Sequence, residues 1–173
     1  MNAQIARAWD LLEVLTDPEI PVVTLRELGI LRDVREGPEG LDVVITPTYS
    51  GCPAMSQIQD DVQSCLQQSG IAARVITQLA PAWTTDWMSP EAKDKLRAYG
   101  IAPPHACPSP SGSVVQFAAR SARHPAGSEL LAVACPQCQS LNTTETSHFG
   151  STACKALYRC LDCLEPFDYF KPY

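Results

Sequence analysis

Two Cys-x-x-Cys pairs near the C-terminus carry the plainest chemistry in this chain of 173 residues. The first pair is Cys135 and Cys138, and the second is Cys160 and Cys163. Each pair can form a short turn that points its two sulfurs the same way, and two such turns supply four thiolates at about 2.3 Å from a zinc ion. The 21 residues between the pairs slightly exceed the usual spacing and leave room for a hairpin with one extra turn. The spacing therefore predicts a closed, structural Zn²⁺ site.

The alternative for these cysteines, a pair of disulfides, needs an oxidising compartment. The N-terminal residues 2–7 are too polar for the apolar core of a signal peptide. The longest uninterrupted apolar stretch, Leu130–Cys135, is far shorter than the ~20 residues that span a bilayer. We therefore expect a cytoplasmic protein with no membrane contact, whose eight cysteines are metal ligands or free thiols.

The charge of the chain bears on nucleic-acid binding, which is common among zinc ribbons. The formal net charge is −6, from 19 acidic and 13 basic residues, and four thiolates around zinc add further negative charge. This sign is wrong for a surface that binds phosphates. We expect no nucleic-acid partner.

A second candidate site is the segment from Thr46 to Pro53, which joins a predicted strand to a predicted helix. With Pro53 at the first helical position, Cys52 falls at the N-cap, where the helix dipole and free N–H groups favour a thiolate. The thiolate is the form that ligates metals and attacks electrophiles. Thr48 adds a hydroxyl to the same loop. From this loop alone, a small buried cysteine that closes a turn is an equally good interpretation.

Three further side chains could contribute to a site. Asp17 and Glu19 place two carboxylates on rigid extended backbone, where they could ligate a hard metal, cap a helix or contact a partner; solvated acids at a helix-ending turn are the favoured interpretation. Cys154 is a fifth cysteine in the ribbon. It could be an auxiliary thiol that replaces a ribbon ligand, a second reactive group, or a partly buried bystander. Cys65 lies on the apolar face of a helix and is interpreted as a core thiol.

The elements that must position these residues follow from hydrophobic periodicity and from turn residues. The predicted elements are a helix over 2–16 that ends at Asp17-Pro18, strands Ile30–Arg35 and Leu41–Thr46, a helix over Pro53–Ser69 that ends at Gly70, a strand Ala72–Leu79, and a helix Pro90–Tyr99 between Ser89 and Gly100. This α-β-β-α-β-α order over residues 1–104 predicts the α+β class, with a small open sheet covered by helices.

Beyond this domain, we predict a linker rich in Pro, Ala and Ser over residues 105–127, with one short extended piece at Val114–Phe117. Residues 128–173 form the predicted ribbon. Its hairpins pair Leu130–Val133 with Ser140–His148, and Ala156–Arg159 with Pro166–Phe170. So small a domain buries little core, so the metal should supply most of its folding free energy.

Several short motifs of the first domain resemble those of the metal–sulfur cluster biosynthesis family, the SufT-like domains: Asp17-Pro18-Glu19-Ile20-Pro21, Leu28-Gly29-Ile30 and Gly51-Cys52-Pro53. Two further stretches and the ribbon resemble the phenylacetate-degradation protein D subgroup: Ala82–Met88 with Lys95–Pro104, and Phe149–Lys155. The resemblance covers almost the whole chain except the linker. It implies a small α+β domain that acts in iron–sulfur protein maturation.

That resemblance also implies partners and roles. The clients would be the di-iron oxygenase and the iron–sulfur flavin reductase of the phenylacetyl-CoA 1,2-epoxidase system, together with other cluster-assembly proteins; a homodimer stays open. Cys52 would hold iron or an iron–sulfur cluster transiently, with Asp17, Glu19 and Thr48 around it. The protein would be an accessory subunit rather than an enzyme.

Two other functions remain open from the sequence. The first is rubredoxin-like electron transfer by iron in the ribbon, which is disfavoured because Gln139 and Leu164 stand where such turns usually have glycine. The second is a scaffolding subunit that uses the ribbon face and the strip of Trp83, Trp87 and Met88. Core packing is the default interpretation of that strip.

Overall fold

The computed structural model describes residues 2–105 and 132–173, and within these ranges it has the predicted α+β class. The predicted extended piece Val114–Phe117 and all but the first residue of the predicted linker lie outside the described residues. The helices are α1 (Ala3–Leu12), α2 (Met55–Gln68) and α3 (Pro90–Tyr99), with a short 3₁₀ turn at Thr85–Trp87. The strands are β1 (Leu31–Gly37), β2 (Gly40–Ile45), β3 (Ala73–Thr77), β4 (Ile101–Ala102), β5 (Thr143–Ser147), β6 (Lys155–Cys160) and β7 (Pro166–Phe170).

The first sheet has the order β1-β2-β3, with β2 in the centre. Strands β1 and β2 are antiparallel, whereas β2 and β3 are parallel and are connected through α2. Every residue of β2 after Gly40 is buried, which accounts for its run of aliphatic side chains. The apolar faces of α1 and α2 cover this sheet through the fully buried Leu12, Ile58, Val62 and Leu66. The loop that leaves the carboxyl end of β2 carries Cys52.

Helix α3 forms as its capping residues predict. The Ser89 side chain accepts a hydrogen bond from the Ala92 N–H at 3.1 Å, Pro90 opens the helix, and Gly100 closes it with a φ of 94°. The predicted end of α2 is also correct, because Gly70 follows it with a φ of 72°.

Two predicted helix boundaries are wrong, each because the backbone groups there bond elsewhere. Helix α1 ends at Leu12 rather than near residue 16, since residues 15–17 pair with residues 23–25 instead. Helix α2 begins at Met55 rather than Pro53, since two successive turns precede it. In these turns the Cys52 N–H donates to the Tyr49 carbonyl at 3.1 Å, and the Met55 N–H donates to the Cys52 carbonyl at 3.3 Å.

The second sheet has the order β4-β7-β6-β5. The predicted hairpin of Ala156–Arg159 with Pro166–Phe170 is present as β6 and β7. The other predicted pairing, of Leu130–Val133 with Ser140–His148, begins outside the described residues, and within them β5 forms its ladder with β6. Val133, the described end of the predicted first strand, meets β5 only through its carbonyl, which accepts a hydrogen bond from the Thr143 hydroxyl at 2.7 Å. The edge strand β4 follows α3 directly and lies parallel to β7.

The C-terminal residues of the ribbon enter the core of the first domain. Phe170 is 1% exposed and belongs to the same buried cluster as the side chains beneath α1 and α2. Its ring centroid lies 6.0 Å from that of Trp83, and the Tyr173 ring centroid lies 6.2 Å from that of Trp83. The Thr85 N–H also donates to the Tyr173 carbonyl at 3.1 Å. The two predicted domains therefore share a hydrophobic core.

The tryptophan strip is part of this core, in agreement with its default interpretation. Trp83 and Met88 are each 4% exposed, and Trp87 is half-buried beneath the guanidinium of Arg32 at 3.5 Å. A partner surface made of these side chains is therefore wrong. Gly29 lies against the same strip with a φ of 74°, and a Cβ there would be 2.7 Å from the Trp87 Cβ, so the position requires glycine.

Candidate metal centre and thiol loop

The four cysteines of the two Cys-x-x-Cys pairs converge in the ribbon. Their sulfurs all lie within 4.8 Å of one another. The Cys135 and Cys163 sulfurs are 3.7 Å apart, and the Cys138 and Cys160 sulfurs are 3.5 Å apart. A regular tetrahedron with metal–sulfur bonds of about 2.3 Å has edges of about 3.8 Å. These two sulfur–sulfur distances are close to that edge, so the four thiols can hold one tetrahedral metal ion.

The two turns that carry these cysteines have the same backbone form. The Cys135 N–H donates to the Ser140 carbonyl at 2.9 Å, and the Cys160 N–H donates to the Glu165 carbonyl at 3.0 Å. In each turn the residue after the second cysteine is left-handed, with a φ of 62° at Gln139 and 66° at Leu164. The turns form without glycine, at a cost of about 1–2 kcal/mol for each such residue. The lack of glycine is therefore no argument about which metal the site holds.

Asp162 fastens the second turn to the first. Its carboxylate accepts hydrogen bonds from the Ser140 hydroxyl and from the Asn142 amide, the latter at 2.8 Å, and these bonds lower its pKa. The N–H groups of Cys163 and Asp162, together with the Cys138 and Cys163 thiols, lower the pKa of the Cys160 thiol to about 7. Hydrogen bonds among the four thiols act the other way on Cys138 and Cys163, whose pKa values are raised. Backbone donors around the sulfurs favour the thiolate that a metal needs.

The Cys52 loop differs from its predicted geometry. Ala54, not Cys52, is the N-cap of α2, so Cys52 lies in the preceding turn. Burial raises the pKa of the Cys52 thiol, the Ala54 N–H acts to lower it, and the nearby Glu19, Cys154 and Asp17 raise it further. The predicted stabilisation of a thiolate by an N-cap position at Cys52 is therefore wrong.

Asp17 holds the turn that presents Glu19. One Asp17 oxygen accepts the N–H groups of Glu19 and Ile20, each at 2.9 Å, and the residue is only 7% exposed. Burial raises the pKa of Asp17, whereas these two N–H groups and Lys155 act to lower it. The favoured interpretation of solvated acids is therefore wrong for Asp17. Glu19 is half-buried. Burial and the Asp17 charge raise the pKa of Glu19, whereas Lys155 and the Thr152 hydroxyl act to lower it.

Cys154 does not lie with the ribbon cysteines as the auxiliary-thiol interpretation required. It directly precedes β6, whereas Cys160 ends that strand, and six residues at about 3.3 Å each separate the two by about 20 Å. Cys154 is 5% exposed and belongs to the core of the first domain, while Cys135 and Cys160 belong to a separate cluster. Cys154 instead lies beside Cys52, Glu19 and Asp17.

The remaining sequence candidates have simpler surroundings. Thr48 is 8% exposed in the loop that follows β2. Cys65 is half-buried, and its thiol donates to the Leu11 carbonyl at 3.5 Å between α2 and α1, as expected for a core thiol. None of the helices in residues 2–105 or 132–173 is both long enough and apolar enough to cross a bilayer.

Sequence reasoning missed three residues beside Cys52. Tyr49 reaches the Ala153 backbone, Thr152 contacts Cys154, and Lys155 is 5% exposed next to Asp17 and Glu19. The stretch Phe149–Lys155 is distinguished in the sequence by its resemblance alone. Nothing in its spacing connects it to a cysteine about 100 residues earlier in the chain.

The comparisons with known proteins divide the chain as its two sheets do. The family described as iron-sulfur cluster assembly protein matches residues 5–75, and the PaaD zinc beta ribbon domain matches residues 119–171. The crystal structure of a domain of unknown function, DUF59, from Bacillus anthracis aligns with a TM-score of 0.50 and 30% identity. That alignment covers 54% of this chain and 92% of the other.

Fold and site together define a cluster-assembly-type α+β domain joined to a four-cysteine ribbon. A protein of Escherichia coli (strain K12) described as the D component of 1,2-phenylacetyl-CoA epoxidase is 46% identical over 171 residues. The alignment covers 97% of this chain and 93% of that protein. The chain therefore belongs to the PaaD family.

Proposed function

We propose that this protein is a non-catalytic maturation factor that supplies iron, as ion or cluster, to components of a phenylacetyl-CoA epoxidase system. The similarity to the Escherichia coli protein supports the assignment to an epoxidase system, and the match to the cluster-assembly family supports the role in supplying iron. The clients would be the di-iron oxygenase and the iron–sulfur flavin reductase. Such a factor works beside its clients in the cytoplasm, where free thiols persist.

The observation that carries this proposal is the contrast between two thiol sites. The ribbon holds four thiols in a closed tetrahedral set, which leaves no position for exchange and suits a structural Zn²⁺ ion. Cys52 lies half-buried in a loop beside the carboxylate of Glu19. A thiol with few fixed partners can release a metal as readily as it accepts one. We therefore assign the transfer role to Cys52 and the structural role to the ribbon.

The test is metal analysis of the anaerobically purified full chain, together with the iron content of both client components. We expect one zinc in the wild type and in Cys52→Ser, and substoichiometric iron in the wild type alone. Co-expression with Cys52→Ser should leave the clients deficient in iron. Cys65→Ser is the matched control, because a serine hydroxyl can keep the hydrogen bond to the Leu11 carbonyl. Full iron content and full activity in clients made with Cys52→Ser would refute the transfer role.

A scaffolding function is the second candidate, because the metal end of the ribbon exposes apolar side chains. Leu141, Leu161 and Leu164 are 62%, 48% and 59% exposed, and the Leu161 N–H donates to the Asn142 carbonyl at 2.8 Å, which brings the two turns together. Their replacement by serine should prevent assembly of the epoxidase components without changing client iron, if scaffolding is the function. Visible absorption with a reversible redox couple would instead indicate iron in the ribbon and electron transfer.

A further inference from the structure

The segment before β6 crosses from the ribbon to the Cys52 loop. The Tyr173 hydroxyl donates to the Ala153 carbonyl at 3.1 Å, and the Lys171 N–H donates to the Cys154 carbonyl at 2.9 Å. Tyr173 is itself fixed to the first domain through Thr85. The C-terminal strand and tail therefore hold Cys154 at a defined place against the first domain.

Two chains of contacts connect Cys154 with the Cys52 loop. The Thr152 hydroxyl lies 3.0 Å from the Cys154 sulfur, and it also acts on the Glu19 carboxylate, whose pKa it lowers. On the other side, Tyr49 reaches the Ala153 backbone and its carbonyl accepts the Cys52 N–H. Cys52, Cys154 and Glu19 thus converge from three separate parts of the chain.

The charges of this cluster suit a divalent cation. Asp17 and Glu19 lie beside the two thiols, and Lys155 is the cation that the structure places among them. The Lys155 ammonium lies 3.5 Å from the Asp168 carboxylate, which takes up part of its charge. Two thiolates with two carboxylates would repel one another unless a metal ion lay between them.

The cluster reaches the surface at Glu19, whereas Cys154 is buried and Cys52 is half-buried. Among the described residues, the ribbon cysteines are the one group of three or more ligand side chains gathered within 4.8 Å, so the Cys52 set is looser. A surface cleft of about 470 Å³ is lined by Glu19 and Lys155 together with the end of α3 and the β6–β7 pair. A looser ligand set with access from solvent favours exchange of a metal over permanent retention.

We propose that Cys52 and Cys154, together with Glu19, form one Fe²⁺ acceptor site at the junction of the first domain and the ribbon. The proposed site rests on the proposed function, because its iron is the metal that Cys52 would transfer. Each thiol gives up its proton as it binds, and the carboxylate supplies a hard oxygen ligand that suits ferrous iron. The ribbon thereby contributes a ligand to the transfer site as well as a structural metal.

The test is titration of the reduced, zinc-loaded full chain with Co²⁺ under anaerobic conditions. Cobalt replaces ferrous iron at thiolate sites and absorbs strongly through sulfur-to-metal charge transfer, while zinc keeps the ribbon thiols occupied. Cys154→Ser should halve this absorption and weaken binding at least about tenfold. Glu19→Gln should weaken binding without halving the absorption, and Cys65→Ser should change neither. Unchanged absorption and affinity in Cys154→Ser would overturn the proposal.

Because Cys154 is buried, a measurement on the wild type makes the test independent of any folding defect in the variant. X-ray absorption at the cobalt edge of the zinc-loaded protein counts the sulfurs bound to cobalt. Two sulfurs support the joint site. One sulfur overturns the role of Cys154 and leaves the assignment of Cys52 intact, whereas no sulfur, or no bound cobalt, overturns both.

Discussion

Replacement of Phe170 by alanine should destabilise the α+β domain, although Phe170 belongs to the ribbon. Its ring is almost fully buried in the core of the first domain and contacts Trp83. A buried Phe→Ala change costs about 3–5 kcal/mol of the free energy of unfolding, through lost transfer energy and the cavity that remains. Since domains are stable by only about 5–15 kcal/mol, the effect should be large.

Phe149→Ala is the matched control. Phe149 also belongs to the ribbon, but it is 63% exposed, and among the described residues its ring meets the Lys171 ammonium at 4.5 Å and forms a T-shaped pair with His148. An exposed cation–π contact contributes about 0.5–1 kcal/mol, so this variant should unfold close to the wild type.

Urea unfolding followed by two signals distinguishes a shared core from two independent domains. Tryptophan fluorescence reports the first domain, because all three tryptophans lie there, and a chromophoric chelator reports release of the ribbon metal. For Phe170→Ala, both midpoints should move to lower urea together. If the metal-release midpoint moves while the fluorescence midpoint stays at its wild-type value, the two domains unfold separately and the shared core does not stabilise the first.

Three further predictions concern single positions. Gln139 and Leu164 are both left-handed, so glycine at either position should relieve backbone strain in the metal-loaded protein. The free energy of unfolding of each glycine variant should exceed that of the alanine variant at the same position by up to about 1 kcal/mol. Equal free energies of unfolding for the glycine and alanine variants would contradict the backbone strain. Partial burial acts to raise the pKa of Glu27, but its hydrogen bond to Lys95 lowers it overall, so its contribution is present at neutral pH and is lost as the pH falls below 4.5. Glu27→Gln should therefore cost up to about 1 kcal/mol at pH 7 and progressively less as the pH falls below 4.5; a cost that does not fall with pH in urea titrations would contradict this. Asp17→Ala should cost about 1–3 kcal/mol, since two N–H groups lose their acceptor, while Asp17→Asn keeps that acceptor and should cost less; equal costs would show that the turn does not depend on it.

Features encoded locally were predictable from the sequence. Ser89, Pro90 and Gly100 determine the boundaries of helix α3, because caps act over a few residues. The four ribbon cysteines were equally clear, since the spacing of two short turns determines the ligand set. The start of α2 was not predictable, although its signal is also local. Pro53 is a good first helical residue, but it is equally compatible with the turn that the Cys52 carbonyl closes with Met55.

Features that depend on tertiary packing were not predictable. Nothing in the sequence around Cys154 distinguishes a ribbon thiol from one that faces the first domain; the direction and length of β6 decide this. The burial of Trp83 depends likewise on Phe170, which is far away in the chain and falls in what looked like a separate domain. Contacts between distant segments leave no periodic signal in a single sequence.

The ribbon metal lies at one end of β6 and the proposed cargo site at the other, about 20 Å apart. A closed metal site at that distance cannot take part in transfer, but it can determine whether β6 and β7 are formed. Those strands in turn hold Cys154 through Lys171 and supply Phe170 to the core. Removal of the structural metal should therefore weaken iron binding at Cys52 even though no ligand of that site has changed. The ribbon then contributes in two ways, since its metal end maintains the fold and its opposite end supplies a thiol to the transfer site.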